Sequence, residues 1–162
     1  MEFHFPAAPE SCFLSAMTLY FDDASPGMVF TSGTHRMELA RIKAFAAEFD
    51  PQPFHVDEAA AKNSFFGGLV ASGWHTAAAS MRLLIETLPL ADGIVGSGVE
   101  IAWLKPVRPG DILQVRCEIT KVTPSASRPD RGSVTIRSET LNQHGEVVQI
   151  FTSTAVLSRR PV

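Results

Sequence analysis

Ser72-Gly73-Trp74-His75-Thr76-Ala77-Ala78-Ala79-Ser80-Met81-Arg82-Leu83-Leu84-Ile85-Glu86-Thr87-Leu88 is the longest stretch of the chain with a helical apolar period. Trp74, Ala77, Ala78, Met81, Leu84, Ile85 and Leu88 recur at steps of three and four, which predicts a helix with those residues on its apolar side. The small residues Ala77 to Ser80 suit close packing against a sheet, and Pro89 and Gly93 end the helix. From Ile94 onward the period changes to two. Leu113, Val115, Cys117 and Ile119 alternate with Gln114, Arg116, Glu118 and Thr120, the pattern of a half-buried strand. Gly98 to Val107 precedes that strand, Ser133 to Leu141 follows a polar loop, and Glu146 to Ser158 follows a tight Asn142 to Gly145 turn. Four antiparallel strands after one buried helix predict an α+β fold whose sheet curls around the helix.

Working toward the N-terminus, Phe65-Phe66-Gly67-Gly68 interrupts the helical period, and Asp57 stands where an N-cap belongs ahead of Glu58 to Lys62. Glu58 and Lys62 are spaced to pair at i,i+4. Pro51-Gln52-Pro53 predicts a stiff loop, because each proline fixes φ and lacks an N–H. Glu38 to Phe49 carries Leu39, Ile42, Phe45, Ala46 and Phe49 at helical spacing, and Met28 to Met37 reads as a strand bent at Ser32-Gly33. Residues 1–26 show no sustained period and are expected to be an extension over a single domain of residues 27–158, with 159–162 as a tail.

Composition narrows the functional classes. Hydrophobic residues make up 45% and charged residues 19%, values of a folded domain that needs no staples at 162 residues. Seventeen acidic against fourteen basic residues leave a net charge of −3, and the basic residues are scattered apart from Arg159-Arg160, so no nucleic-acid face is expected. No stretch approaches the roughly 20 apolar residues of a membrane span. Cys12 and Cys117 form no disulfide framework, and Cys117 lies on the apolar side of its strand. Together with an N-terminus that lacks a basic run before an apolar stretch, this gives the expectation of a reduced, cytoplasmic protein with neither a membrane nor a nucleic-acid partner.

Chemistry concentrates in Phe49-Asp50-Pro51-Gln52-Pro53-Phe54-His55-Val56-Asp57, where a carboxylate and an imidazole lie five residues apart on a stiffened segment. A neutral His is a base suited to pH 7, and a nearby carboxylate can hold a water and stabilise the imidazolium that forms. The pair suffices for hydration or dehydration; equally, Asp before Pro starts turns, and a His before an N-cap can serve only loop carbonyls. Gly73 opens the long helix, where an N–H without an intrahelical partner sits at the positive end of the dipole. It fits either an oxyanion donor or a packing requirement. Phe54 fits a core position or a pocket wall, Trp74 core or ligand contact, and His75 packing more readily than catalysis. No phosphate loop, metal-spaced His/Cys cluster or Gly-x-Ser-x-Gly elbow is present.

Asp50-Pro51-Gln52-Pro53-Phe54-His55-Val56-Asp57, followed by Phe65-Phe66-Gly67-Gly68 and Ala71-Ser72-Gly73, resembles the hydratase 2 motif of MaoC-like dehydratases and (R)-specific enoyl-CoA hydratases. Trp103-Leu104-Lys105-Pro106-Val107-Arg108-Pro109-Gly110-Asp111 is similar to a second landmark of that family. Gln52 stands where the family pattern has Asn, one methylene shorter. The resemblance implies a hot-dog fold and a homodimer or higher homo-oligomer with acyl-CoA tunnels near the interface. It implies Asp50 and His55 as the catalytic pair, adding water to a trans-2-enoyl-CoA to give an (R)-3-hydroxyacyl-CoA or running the reverse. Gly73 would bind the thioester carbonyl through its N–H, and Ser72, Gln52 and Trp74 are the other candidates for substrate contact. Coenzyme A would enter as part of the substrate, with no separate cofactor. Lys105 and Arg108 could reach its phosphates or be merely solvated. The same fold could also support thioester hydrolysis, or acyl-CoA binding without turnover.

Overall fold

The computed structural model describes residues 18–161, so Cys12 and the earlier part of the extension lie outside the described residues. Five strands, β1 (Val29–Arg36), β2 (Val95–Trp103), β3 (Ile112–Pro124), β4 (Arg131–Leu141) and β5 (Val147–Ser158), form one antiparallel sheet in the order β1-β3-β4-β5-β2. Helices α1 (Leu39–Phe49), α2 (Pro53–Val56) and α3 (Glu58–Lys62) separate β1 from the long α4 (Gly73–Thr87), which lies against the inner face of the sheet. Inner positions of β3 and β4, such as Val115, Cys117, Ile119, Val134 and Ile136, are fully buried and meet Leu83 and Leu84 of α4 in one core. The Cys117 thiol is free, and burial pushes it up to about 11. Among the described residues, no helix is long and apolar enough to cross a membrane.

Local chemistry explains most boundaries. The bend expected at Ser32-Gly33 is a register shift between Thr31 and Thr34, stitched to β3 by Val115 N donating to Ser32 Oγ at 2.8 Å. Asp57 caps α3 as expected, its Oδ1 accepting from Ala59 and Ala60 N–H at 2.7 and 2.9 Å. Glu58, however, pairs with Lys43 of α1 at 3.4 Å rather than with Lys62. The stiff loop predicted around Pro51 and Pro53 is in part helical: Pro53 occupies N1 of α2, where the missing N–H has no intrahelical partner to lose.

Two further expectations are corrected. The helix face turned to the sheet is not the one carrying Trp74, Ala78 and Ile85, which are exposed; it carries Thr76, Ala79, Ser80, Leu83 and Leu84. Small residues allow close approach on that face; Leu84 and Leu88 of the expected set are buried, while Trp74, Ala78 and Ile85 remain outside. The strand expected at Gly98 to Val107 runs instead from Val95 to Trp103, because the backbone leaves the ladder where Leu104 and Lys105 both donate to Val148 O ahead of Pro106. After α4, β2 pairs with β5 at the far edge, opposite β1.

The segment before β1 and the end of β5 are joined. Phe21 is buried in the core, and Arg159 and Arg160 pair with Asp22 and Asp23 around it. Leu19 adds a bridge to Leu90, donating to Pro89 O at 2.7 Å.

Candidate active site

The segment from Asp50 to His55 wraps from the end of α1 through α2, and α4 begins beside it. Asp50 is the C-cap of α1, with its own N–H donating to Ala46 O. Gln52 precedes α2, and its Nε2 donates to Asp50 Oδ1 at 2.8 Å, so the longer amide still reaches the carboxylate. Ser72, the N-cap of α4, donates from Oγ to Asp50 Oδ2 at 2.7 Å and accepts from Trp74 N at 3.2 Å. One hydroxyl therefore starts the long helix and fixes the carboxylate.

His55 is 5% exposed, and its Nδ1 lies 2.8 Å from Val70 O. A carbonyl only accepts, so Nδ1 carries a proton, and in the neutral ring Nε2 is left as a lone pair. That nitrogen faces Asp50 Oδ2 at 3.4 Å. Lone pair and carboxylate cannot bond each other directly, but both can accept from one water. Burial works against the Asp50 charge, yet the hydrogen bonds from Ser72 and Gln52 and the nearby His55 outweigh it and hold its carboxyl below the usual range. Asp50 is therefore the ionised, water-holding member of the pair, and the ring nitrogen left with a lone pair is His55 Nε2.

Ser72→Ala tests this electrostatic arrangement. A carboxyl depressed in the folded state contributes stability above its unfolded value of about 3.9 and loses it as pH falls through the folded value. Without the Ser72 donor that contribution shrinks, and the lost cap lowers stability at pH 7 by about 0.5–2 kcal/mol. Thermal melts from pH 7 to pH 3 should show a lower Tm throughout the neutral range and a shallower acid decline.

These groups open on a cavity of about 490 Å³, a size that accommodates a small-molecule ligand. Asp50, Gln52, His55, Gly73 and Trp74 all line it, with Phe54, Phe66, Val70, Thr76 and Trp103 supplying much of the wall. Among the described residues no acceptor is found for the Gly73 N–H. A Cβ at Gly73 would come within 2.7 Å of the Trp103 ring, so its lack of a side chain admits Trp103 against the helix start. Trp74 is 58% exposed and meets Trp103 edge-on at 5.2 Å, a cavity wall rather than core. Phe54 is partly buried and sets its edge against His55, joining core and cavity.

A family model described as "MaoC like domain" matches residues 23–142. The chain belongs to the MaoC-like domain family. It is 59% identical to the crystal structure of the MaoC-like dehydratase from Rhodospirillum rubrum, with a TM-score of 0.87 over 89% of this chain and 99% of that one. The YdeM protein of Bacillus subtilis is 37% identical, covering 80% of this chain and 91% of its own. A 3-hydroxybutyryl-CoA dehydratase of Methylorubrum extorquens is 30% identical over 68% of this chain and 69% of its own. The curled sheet around α4 is the hot-dog fold of MaoC-like proteins.

Several residues around this MaoC-like cavity escape the sequence reading or depart from it. Val70 sets the His55 tautomer through a carbonyl, which no side-chain pattern reveals. Trp103 falls within the second landmark, but its seat on Gly73 does not show in the sequence. His75 stays outside the cavity, stacked on Phe45 at 4.7 Å, and burial first, then the charges of His35 and Arg41, keep its ring below the usual imidazole range. Lys105 lines the cavity but pairs with Glu146 at 2.5 Å, and Arg108 donates to Phe66 O at 2.8 Å.

Proposed function

We propose that the chain hydrates a trans-2-enoyl-CoA to an (R)-3-hydroxyacyl-CoA, or catalyses the reverse dehydration. The observation that carries this reading is the approach of His55 Nε2 to Asp50 Oδ2, on a cavity that Gly73, the first residue of α4, also lines. A water held by both acceptors gives a proton to Nε2 as its oxygen bonds to C3 of the enoyl group. The π electrons move onto the thioester oxygen, where the Gly73 N–H and the α4 dipole stabilise the enolate. Nε2–H then delivers its proton to C2, so water is added across the double bond and the imidazole returns to neutral. Membership of the MaoC-like family supports the reaction class.

The test follows the absorbance of the conjugated enoyl thioester with purified protein, while a thiol reagent reports free coenzyme A. Hydration removes the absorbance and leaves the thioester intact. Thiol release would point to hydrolysis instead, and thermal stabilisation by acyl-CoA without turnover would point to a binding module.

The reading includes a homodimer. β2 is an edge strand, and Val99 and Trp103 on its inner side are exposed together with Trp74 of α4. An uncovered apolar face beside an unpaired edge fits a second copy related by a two-fold axis. Val99→Glu would place a carboxylate in this face on both copies. Like charges there weaken dimerisation by several kcal/mol, on the order of a hundredfold in Kd. Analytical ultracentrifugation should find a dimer for the wild type and monomers for the variant; a monomeric wild type would overturn this part of the reading.

A further inference from the structure

The inner face of the sheet is polar beside the cavity, where strand alternation calls for apolar residues. Ser138 and Thr140 on β4 and Gln149 and Ser153 on β5 are all buried there. Thr76 and Ser80, buried on α4, add two more hydroxyls. Trp103 shares its single Nε1 proton between Gly73 O and Gln149 Oε1, each at 3.0 Å. Gln149 Nε2 donates to Ser80 Oγ at 3.1 Å, and Ser80 donates to Thr76 O at 2.8 Å. With the Ser80 proton so used, Thr140 is the donor in the 2.7 Å contact between the two hydroxyls. Farther along, Ser138 Oγ and Ser153 Oγ have no partner among the described residues.

Trp103 and Thr76 line the cavity, whereas Gln149, Ser80 and Thr140 do not and stand behind them. A thioester carbonyl on Gly73 N–H, with its C3 at the Asp50–His55 pair, has the space beneath α4 as its route into the interior. The braced indole, half-exposed at the mouth of that route, and the buried polar groups behind it lie across it. An alkyl tail extended past them would have to displace Trp103 and separate Gln149 from Ser80, leaving buried donors and acceptors against methylenes that offer them nothing. A short acyl group ends before the wall and leaves every bond in place.

We propose that Trp103, braced by Gln149, Ser80 and Thr140, ends the acyl pocket and restricts the enzyme to short-chain enoyl thioesters. This inference rests on the hydratase reading above and adds the substrate class. The experiment measures kcat/KM for wild type with crotonyl-, hexenoyl-, octenoyl- and decenoyl-CoA, then repeats it with Gln149→Ala and Trp103→Leu after circular dichroism has established their fold. Wild type should lose roughly tenfold or more between crotonyl- and octenoyl-CoA, the discrimination expected when a pocket cannot admit added methylenes. A folded opening variant should narrow that ratio several-fold. Octenoyl- or decenoyl-CoA turned over by wild type as well as crotonyl-CoA would overturn the inference while hydration stands. An unchanged ratio in folded Gln149→Ala would also overturn it. Silence on the whole series would remove the hydratase reading, and this inference with it.

Discussion

Asp50→Asn and His55→Ala should each slow crotonyl-CoA hydration by about 10²–10⁴-fold, the range that a positioned acid–base group contributes. The two losses have different origins. Asp50→Asn keeps the shape but removes the charge that holds the water and supports the imidazolium, and it presents an amide N–H₂ to surroundings built from donors, Ser72 Oγ and Gln52 Nε2. His55→Ala removes the base and also leaves Val70 O without its 2.8 Å donor in a buried place. That orphaned carbonyl costs about 1–3 kcal/mol, so part of any loss could come from unfolding. His55→Gln separates the effects, since a side-chain amide can still donate to Val70 O but cannot accept and return a proton near neutral pH. Inactivity in His55→Gln with a Tm close to wild type assigns the loss to chemistry. Full turnover in either Asp50→Asn or His55→Gln would mean that the pair does not carry the reaction.

The sequence makes the site legible where chemistry is carried by side-chain type, and loses it where chemistry is carried by backbone or by packing across the fold. Asp50 and His55 stand out because prolines constrain the segment between them, and the structure brings both to one cavity with Gly73. Ser72 enters the sequence reading only as a substrate contact; its capping of α4 and its bond to Asp50, 22 residues earlier, depend on where the folded chain brings α1 and α4 together. The α4 face is misread for a physical reason: periodicity ranks Trp74 and Ile85 as core, whereas close approach to the sheet selects Thr76, Ala79 and Ser80. The α2 turn escapes because Pro53 argues against a helix interior and equally well for an N1 position. Gln149 and Ser153 did leave a trace, as polar residues at every other position of an otherwise apolar strand face, but alternation alone does not say which elements they meet.

Gly132→Ala should be the most damaging single methyl away from the cavity. Gly132 lies at the start of β4, paired with Leu157 and Pro124, and its limitation is space rather than backbone angle. A Cβ there would stand 2.1, 2.4 and 2.5 Å from three atoms of the Phe21 ring, so the ring must leave its seat. Phe21 cannot simply shift outward, because the Arg159 guanidinium lies 5.0 Å from its ring centroid and is tied to the neighbouring Asp22. Expelling the ring forfeits the burial of a large aromatic side chain and opens a void, about 2–4 kcal/mol in total. For a chain of this length that lowers Tm by about 5–15 °C, a large share of the usual margin. A double-mutant cycle isolates the cause: with Phe21→Ala already in place, adding Gly132→Ala should cost little. Equal costs in both backgrounds would mean that Gly132 serves the strand and not the ring. Because Phe21 is remote from the cavity lining, the variant at a temperature where it remains folded should keep its turnover per folded molecule, which separates anchoring of the segment before β1 from the chemistry at His55.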